Sequence, residues 1–342
     1  MPDENDQTAA SHEPAGADQR GARDRSPQQA VLDVRDEVAK LVVGQEGVLS
    51  GLVAALLVRG HVLLEGVPGV AKTLLVKALA ASLDLETARV QFTPDLMPSD
   101  VLGQTILDPG AGTGGFRFRE GPVFTNLLLA DEINRTPPRT QSALLEAMEE
   151  RQVSADGVTR PLPDPFLVIA TQNPIEYEGT YPLPEAQLDR FLFKLVVGYP
   201  TVEQEQDILR RHDAGQVPHD VRQSAAVRAV AGPSELAAAR AQVEAIRCDD
   251  QVLAYIVAVV RATRSSPSLT LGVSPRGATM LMRAAKAWAW LSGRDFVTPD
   301  DVKAMARSTM RHRIALRAEV ELEGATADGV LEGLLSTVPV PR

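Results

Sequence analysis

The sequence predicts an α/β protein: a five-stranded parallel sheet with helices on both faces, followed by a small all-α region. Three observations support this. Five short apolar runs, at residues 61–65, 89–92, 126–130, 166–170 and 192–197, are separated by helical patterns. Such runs read as strands buried on both faces of a parallel sheet. The stretch Gly66-Val67-Pro68-Gly69-Val70-Ala71-Lys72-Thr73 joins the first run to Leu74, Leu75, Ala78, Leu79 and Leu83, which recur at helical spacing. Beyond Tyr199-Pro200 only helical patterns stand out, at 203–211, 234–246, 250–264, 274–291 and 298–311.

Bulk properties agree. A chain of 342 residues favours two domains. It is 44% hydrophobic with a mean hydropathy of -0.07, enough for a sizeable core. Aromatics are only 4%, so that core should be aliphatic and alanine-rich. The net charge of -10 argues against tight, non-specific nucleic-acid binding, which needs clustered cations, although a local basic groove stays compatible with it. Cys248 is the single cysteine, so no internal disulfide or paired metal motif is expected. The longest apolar stretch, residues 47–58, is too short to span a bilayer, and the acidic N-terminus lacks an apolar signal core. A cytoplasmic protein without membrane insertion is expected.

In chain order, residues 1–28 are polar and should form a disordered tail. From Ala30, Val31, Val34, Val38, Leu41 and Val42 repeat at three- and four-residue steps, and Gly44-Gln45 interrupts the pattern before a second apolar helix over 48–57. After the second strand, Thr93-Pro94-Asp95-Leu96-Met97-Pro98-Ser99-Asp100 is rich in turn residues. Residues 110–115 are glycine-rich, and Phe116-Arg117-Phe118-Arg119 alternates apolar and basic side chains. This reads as a helix carrying a strand-like insertion. Pro137-Pro138 opens a helix, and Asp156-Gly157 between alternating residues signals a β-hairpin. Thr298-Pro299-Asp300-Asp301 is a helix start with cap, proline and first-turn acid.

Strand, glycine-bearing loop and helix together form the context of a phosphate-binding loop. Its backbone N–H groups converge on an anion, aided by the helix N-terminus. Lys72 would reach the terminal phosphates of a nucleotide, and the Thr73 hydroxyl would hold Mg2+. Ala71 takes a place usually held by glycine; it is expected to adopt helical dihedrals, already within the first turn. The helices ahead of the loop would lie against the base, and Gln45 between them is grouped with the nucleotide-binding residues. Asp131-Glu132 closes the third strand: Asp131 is assigned to Mg2+ and Glu132 to the attacking water. Asn173 ends the fourth strand and could bond the same water or the γ-phosphate without adding charge. Arg190, before the fifth strand, could neutralise charge on a neighbour's phosphate; the plainer alternative is an exposed side chain paired with Asp189 or Glu185. Ser274-Pro275 places Arg276 in the first turn of a helix, where a cation is unfavourable unless an anion sits nearby.

At these residues the chain resembles the MoxR family of AAA+ ATPases, from about Ala30 to the C-terminus. Residues 66–73 look like that family's variant of Walker A, and residues 127–132 look like Walker B. Asn173 falls on sensor 1. Arg190, in Glu185-Ala186-Gln187-Leu188-Asp189-Arg190-Phe191, matches the arginine finger, and Arg276 matches sensor 2. Gln91-Phe92-Thr93-Pro94-Asp95-Leu96 resembles the approach to the helix-2 insertion, and the Asp156-Gly157 hairpin resembles the pre-sensor 1 hairpin. His312-Arg313-Ile314 and Val338-Pro339-Val340-Pro341 also fit. The resemblance implies an AAA+ P-loop NTPase core over 29–199 and a helical lid over 200–342. It implies ATP hydrolysis with Mg2+, usually in a ring of six with Arg190 acting in trans. It further implies chaperone-like maturation or metal insertion of client proteins, often with a partner bearing a von Willebrand factor type A domain. Two alternatives compete. One is a DNA-acting motor of the same clade, with Arg117, Arg119, Arg151 and Arg160 as its basic contacts. The other is a nucleotide-gated scaffold, against which Glu132 and Arg190 argue.

Overall fold

A computed structural model describes residues 25–67, 69–108, 115–173, 179–215, 221 and 226–341. Most of the expected disordered tail, Pro68, Pro174 and the glycine-rich residues 110–114 lie outside the described residues.

The chain opens with α1 (Pro27–Ala39) and α2 (Glu46–Leu57). Helix α1 starts three residues before the apolar pattern does, because the Ser26 hydroxyl accepts from Gln29 N–H at 3.1 Å and Pro27 takes the first helical position. Then come β1 (Val62–Glu65), α3 (Lys72–Ser82) and β2 (Thr87–Gln91). Next follow α4 (Pro98–Leu102), β3 (Gly103–Asp108), β4 (Gly115–Glu120) and β5 (Leu127–Asp131). The core continues with α5 (Pro138–Glu150), β6 (Gln152–Ala155), β7 (Val158–Pro161), β8 (Leu167–Gln172), α6 (Glu185–Leu188) and β9 (Phe193–Val196).

Strands β2, β5, β8, β1 and β9 lie side by side in that order, every pair parallel. Alternate strand residues face opposite sides, and both sides are covered. Leu127, Leu129, Leu167 and Ile169 pack with α1, α2 and α3, whereas Leu128, Ala130, Val168 and Ala170 pack with α5 and Phe166. Double burial is why these runs read as continuously apolar.

Helix α4 leads directly into the antiparallel β3–β4 hairpin, paired from Gly103↔Glu120 to Asp108↔Gly115. The β6–β7 hairpin turns on Asp156 (φ 53°) and Gly157 (φ 75°), the positive dihedrals its Asp-Gly turn demands. The two hairpins touch: Thr105 Oγ1 donates to the Asp156 carboxylate, and Arg160 lies 3.9 Å from the centre of the Phe118 ring. Arg151 donates to the Arg59 carbonyl at 2.7 Å. Arg151 and Arg160, both candidate basic contacts, are thus engaged within the molecule.

The remainder is largely helical: α7 (Val202–Asp213), α8 (Pro233–Ala245), α9 (Asp250–Ser265), α10 (Pro275–Leu291), α11 (Pro299–Met310), α12 (Ala318–Leu322) and α13 (Ala327–Thr337). Among the described residues it departs from an all-helical expectation at a small strand pair and at a single parallel bridge, Arg247↔Phe296. Strands β10 (Leu269–Leu271) and β11 (Ala315–Leu316) form a small antiparallel pair, too short to display a periodicity in sequence. The cap on α11 forms as expected, with Asp301 N–H on Thr298 Oγ1 at 3.3 Å and Thr298 N–H on Asp301 Oδ2 at 2.8 Å.

One apolar cluster runs from α1–α3 into α8–α11, so the helical part is fused to the sheet's α3 face. Polar bolts reinforce the seam. Arg240 Nε donates to the Leu56 carbonyl at 2.9 Å. Buried Arg313 donates from Nε to Asp189 Oδ1 at 2.7 Å and from Nη1 to the Leu192 carbonyl at 3.3 Å. Burial pushes its pKa down to about 10, with Asp189 opposing the shift.

Candidate nucleotide site

The loop after β1 is shaped by close approach. A Cβ on Gly66 would stand 2.4 Å from the Val197 carbonyl oxygen, so only glycine fits. Gly69 has φ +85°. Ala71 corrects the sequence expectation: it lies outside the helix, left-handed at φ 58° and ψ 22°. Its carbonyl still accepts the first helical bond, from Leu75 N–H at 2.9 Å. A left-handed alanine costs about 1 kcal/mol or more, so the loop holds strain that glycine would relieve.

Lys72 curls back over the loop and donates to the Gly66 carbonyl at 2.6 Å. Burial lowers its pKa, and Asp131, Glu132 and Glu65 work against that shift. The cavity it faces is about 550 Å³. It gathers residues 69–74, Arg89 and Gln91 from β2, Asp131 and Glu132 beyond β5, Thr171 to Asn173 at the end of β8, and His212 from α7. The loop, the carboxylate pair and Asn173 therefore converge at the carboxyl edge of the sheet.

Asp131 and Glu132 point to different partners. Asp131 Oδ2 accepts from Arg89 Nε and Nη2 at 3.0 and 2.7 Å, and Oδ1 accepts from Thr171 Oγ1 at 2.6 Å. Glu132 is left-handed at φ 57° and ψ 49°, which swings its side chain out of the strand direction. Its Oε2 accepts from Gln91 Nε2 at 2.6 Å and pairs with Arg135 at 3.0 Å. The Thr171 hydroxyl also accepts from Glu132 N–H at 2.9 Å, so one side chain fixes both acids.

Arg190 and Arg276 do not line this cavity. Arg190 Nε pairs with Glu149 Oε2 at 3.1 Å, and Arg276 Nη1 pairs with Glu149 Oε1 at 2.8 Å. The plainer alternative for Arg190, an exposed side chain paired with Asp189 or Glu185, names a different acid from the one it meets. Asp189 is instead taken by Arg313 and by the Ser274 hydroxyl at 3.2 Å. The anion that Arg276 calls for is, within this chain, a carboxylate rather than a phosphate.

A smaller apolar hollow of about 160 Å³ adjoins the cavity, walled by Leu41, Val42, Val70, Leu74 and Ile208 and sharing Ala71 and His212 with it. Gln45 sits at its edge, held by a bond from Nε2 to the Gly198 carbonyl at 3.3 Å. Sequence reasoning missed Arg89, Gln91, Thr171 and His212. For two of these a signal existed, because Arg89 and Gln91 stand two apart on a strand and must share a face.

Comparison with known proteins agrees with this arrangement. Residues 61–193 match the family described as "ATPase family associated with various cellular activities (AAA)", and residues 261–334 match the AAA lid domain. The chain is 49% identical to the uncharacterized protein YeaC of Bacillus subtilis over 90% of this chain and 93% of that one. It is 42% identical to Chaperone MoxR1 of Mycobacterium tuberculosis over 96% of this chain and 86% of that one. A crystal structure of a candidate ATPase from Cytophaga hutchinsonii superposes with a TM-score of 0.84 at 40% identity, covering 92% of this chain and 96% of that one. On its fold, its lid and these relatives, the chain belongs to the MoxR family of AAA+ ATPases.

Proposed function

We propose that this protein hydrolyses ATP to ADP and phosphate with Mg2+ and couples turnover to chaperone-like remodelling, maturation or metal insertion of client proteins. The observation that carries the reading is the convergence of Lys72, Thr73, Asp131, Glu132 and Asn173 on one cavity. A polyphosphate suits it: a half-buried lysine, Arg89 and the loop residues 69–71 line a space large enough for a nucleotide. A magnesium ion suits it too, since the Thr73 hydroxyl and the Asp131 carboxylate are hard oxygen donors. When bound, the ion would neutralise charge on the β- and γ-phosphates.

The backbone of Gly66, Val67, Pro68, Gly69, Val70 and Ala71 would wrap the phosphates. Lys72 would exchange the Gly66 carbonyl for a phosphate oxygen. Glu132 would orient water and Asn173 would bond that water or the γ-phosphate. The hollow beside Gln45 would take the base. Arg190 and Arg276, away from their own cavity, would act on a neighbour's nucleotide, so the active form is a homo-oligomer, a ring of six by family resemblance. The expected boundary at residue 28 falls inside α1, so the proposed division is a tail ahead of the Ser26 cap, a core from α1 to residue 199 and a lid over 200–342, in a cytoplasmic protein. A partner with a von Willebrand factor type A domain is proposed on the same resemblance, and the acidic charge argues against nucleic acid as the target.

Mixing tests the central claim. Arg190→Ala subunits and Glu132→Gln subunits should each be inactive, yet mixed they should regain turnover, because a Glu132→Gln subunit can lend its arginine to a neighbour. No recovery at any ratio would refute the shared site.

A further inference from the structure

Glu149 and Glu150 end α5, whose last turn holds no basic residue. Negative charge at a helix C-terminus opposes the helix dipole. Arg276 commits the converse fault at the start of α10, whose first turn holds no acid. The fold sets these two mismatched ends together. Glu149 gives one carboxylate oxygen to Arg276 at 2.8 Å and the other to Arg190 at 3.1 Å. Three separate elements thus meet at one side chain, and each is anchored beside it. The Met148 carbonyl is bonded by His61 at 3.1 Å. Asp189 is held by Arg313 at 2.7 Å and by Ser274, which caps α10, at 3.2 Å.

The cluster is half exposed, with Arg190, Glu149 and Arg276 side chains at 30%, 37% and 42% of full accessibility. Ion pairs this open to water stabilise a fold little, so the trio has a weak structural rationale. Two long cationic side chains left to themselves would repel and scatter, and each would have to be ordered when a phosphate arrived. The shared carboxylate removes both problems in advance.

We propose that Glu149 is a positioning residue: it holds Arg190 and Arg276 as one pre-formed pair, presented together to the triphosphate bound by a neighbouring subunit. The inference rests on the reading that Arg190 serves the neighbour's nucleotide. It adds that the delivery of both arginines depends on one acid that touches neither nucleotide nor magnesium in its own chain.

The test is steady-state ATP hydrolysis by the full-length chain carrying Glu149→Gln or, separately, Arg190→Ala, with assembled mass measured by light scattering. Glu149→Gln keeps shape and removes charge. It should lower kcat by roughly 10- to 100-fold, the scale of a misplaced catalytic group, with KM and assembled mass unchanged. Glu149→Asp, which keeps the charge, should recover part of that loss. Glu149→Gln subunits mixed with Glu132→Gln subunits should regain turnover, which a subunit that had merely failed to fold could not do. Wild-type kcat for Glu149→Gln while Arg190→Ala is inactive would overturn this inference alone. Wild-type kcat for Arg190→Ala would overturn the trans-arginine reading and this inference with it.

Discussion

His61, immediately ahead of β1, makes the stability of this core sensitive to acid. Its Nδ1 accepts from Val168 N–H at 3.0 Å, so Nε2 carries the proton and donates to the Met148 carbonyl at 3.1 Å. The ring meets Phe166 edge-on at 5.6 Å. Burial pushes the pKa from 6.5 down to about 4; the Met148 carbonyl opposes this and Arg151 adds to it. The folded state therefore favours the neutral ring. The contribution to stability is complete above the unfolded value of 6.5 and is lost as pH falls toward the folded value of about 4. The whole gap corresponds to about 3 kcal/mol, of which about 2 kcal/mol is lost by pH 5. The assay is urea unfolding of the wild type and of His61→Gln at about pH 7.5 and about pH 5. Glutamine does not titrate and retains a donor and an acceptor. His312, also buried and depressed, titrates in both proteins and cancels. The wild type should lose about 2 kcal/mol more than the variant across that interval. Equal losses would refute the assignment of a buried, neutral His61.

Three further outcomes are expected. Lys72→Ala should abolish ATP binding in equilibrium dialysis, and retained affinity would remove the loop from the site. Glu132→Gln should bind ATP as the wild type does while its turnover falls by about 100-fold or more, as loss of a group that activates water predicts; unchanged turnover would move that role elsewhere. Arg313→Ala should destabilise the protein by about 3–5 kcal/mol in urea unfolding, because Asp189 and the carbonyls of Phe191 and Leu192 lose a buried cationic partner; a loss under about 1 kcal/mol would show that the seam does not depend on it.

The central strands β5 and β8 were legible because both their faces are buried and their sequences are therefore almost continuously apolar. The loop was legible because its phosphate chemistry is local: glycine, lysine and threonine follow one another along the chain. What escaped reading depends on contacts across long separations. Arg89 reaches Asp131 only because β2 and β5 pair in register, and nothing near either residue announces the other. Glu149 lies 41 residues before Arg190 and 127 before Arg276, so a helix end with too much acid was the only local sign. His212 joins the cavity through the placement of α7, which no local pattern encodes. Ala71 failed differently. Its side chain permits a helix, but the residue closes the phosphate loop ahead of α3 and is left-handed there, a backbone state that residue type alone does not announce.

Helix α5 begins just past the Glu132 turn and runs about 20 Å to the base of the β6–β7 hairpin. That hairpin is clasped to β3–β4 through Thr105 on Asp156 and Arg160 on Phe118. A displacement of α5 at its Glu132 end would reach the β6–β7 hairpin directly and the β3–β4 hairpin through these two contacts.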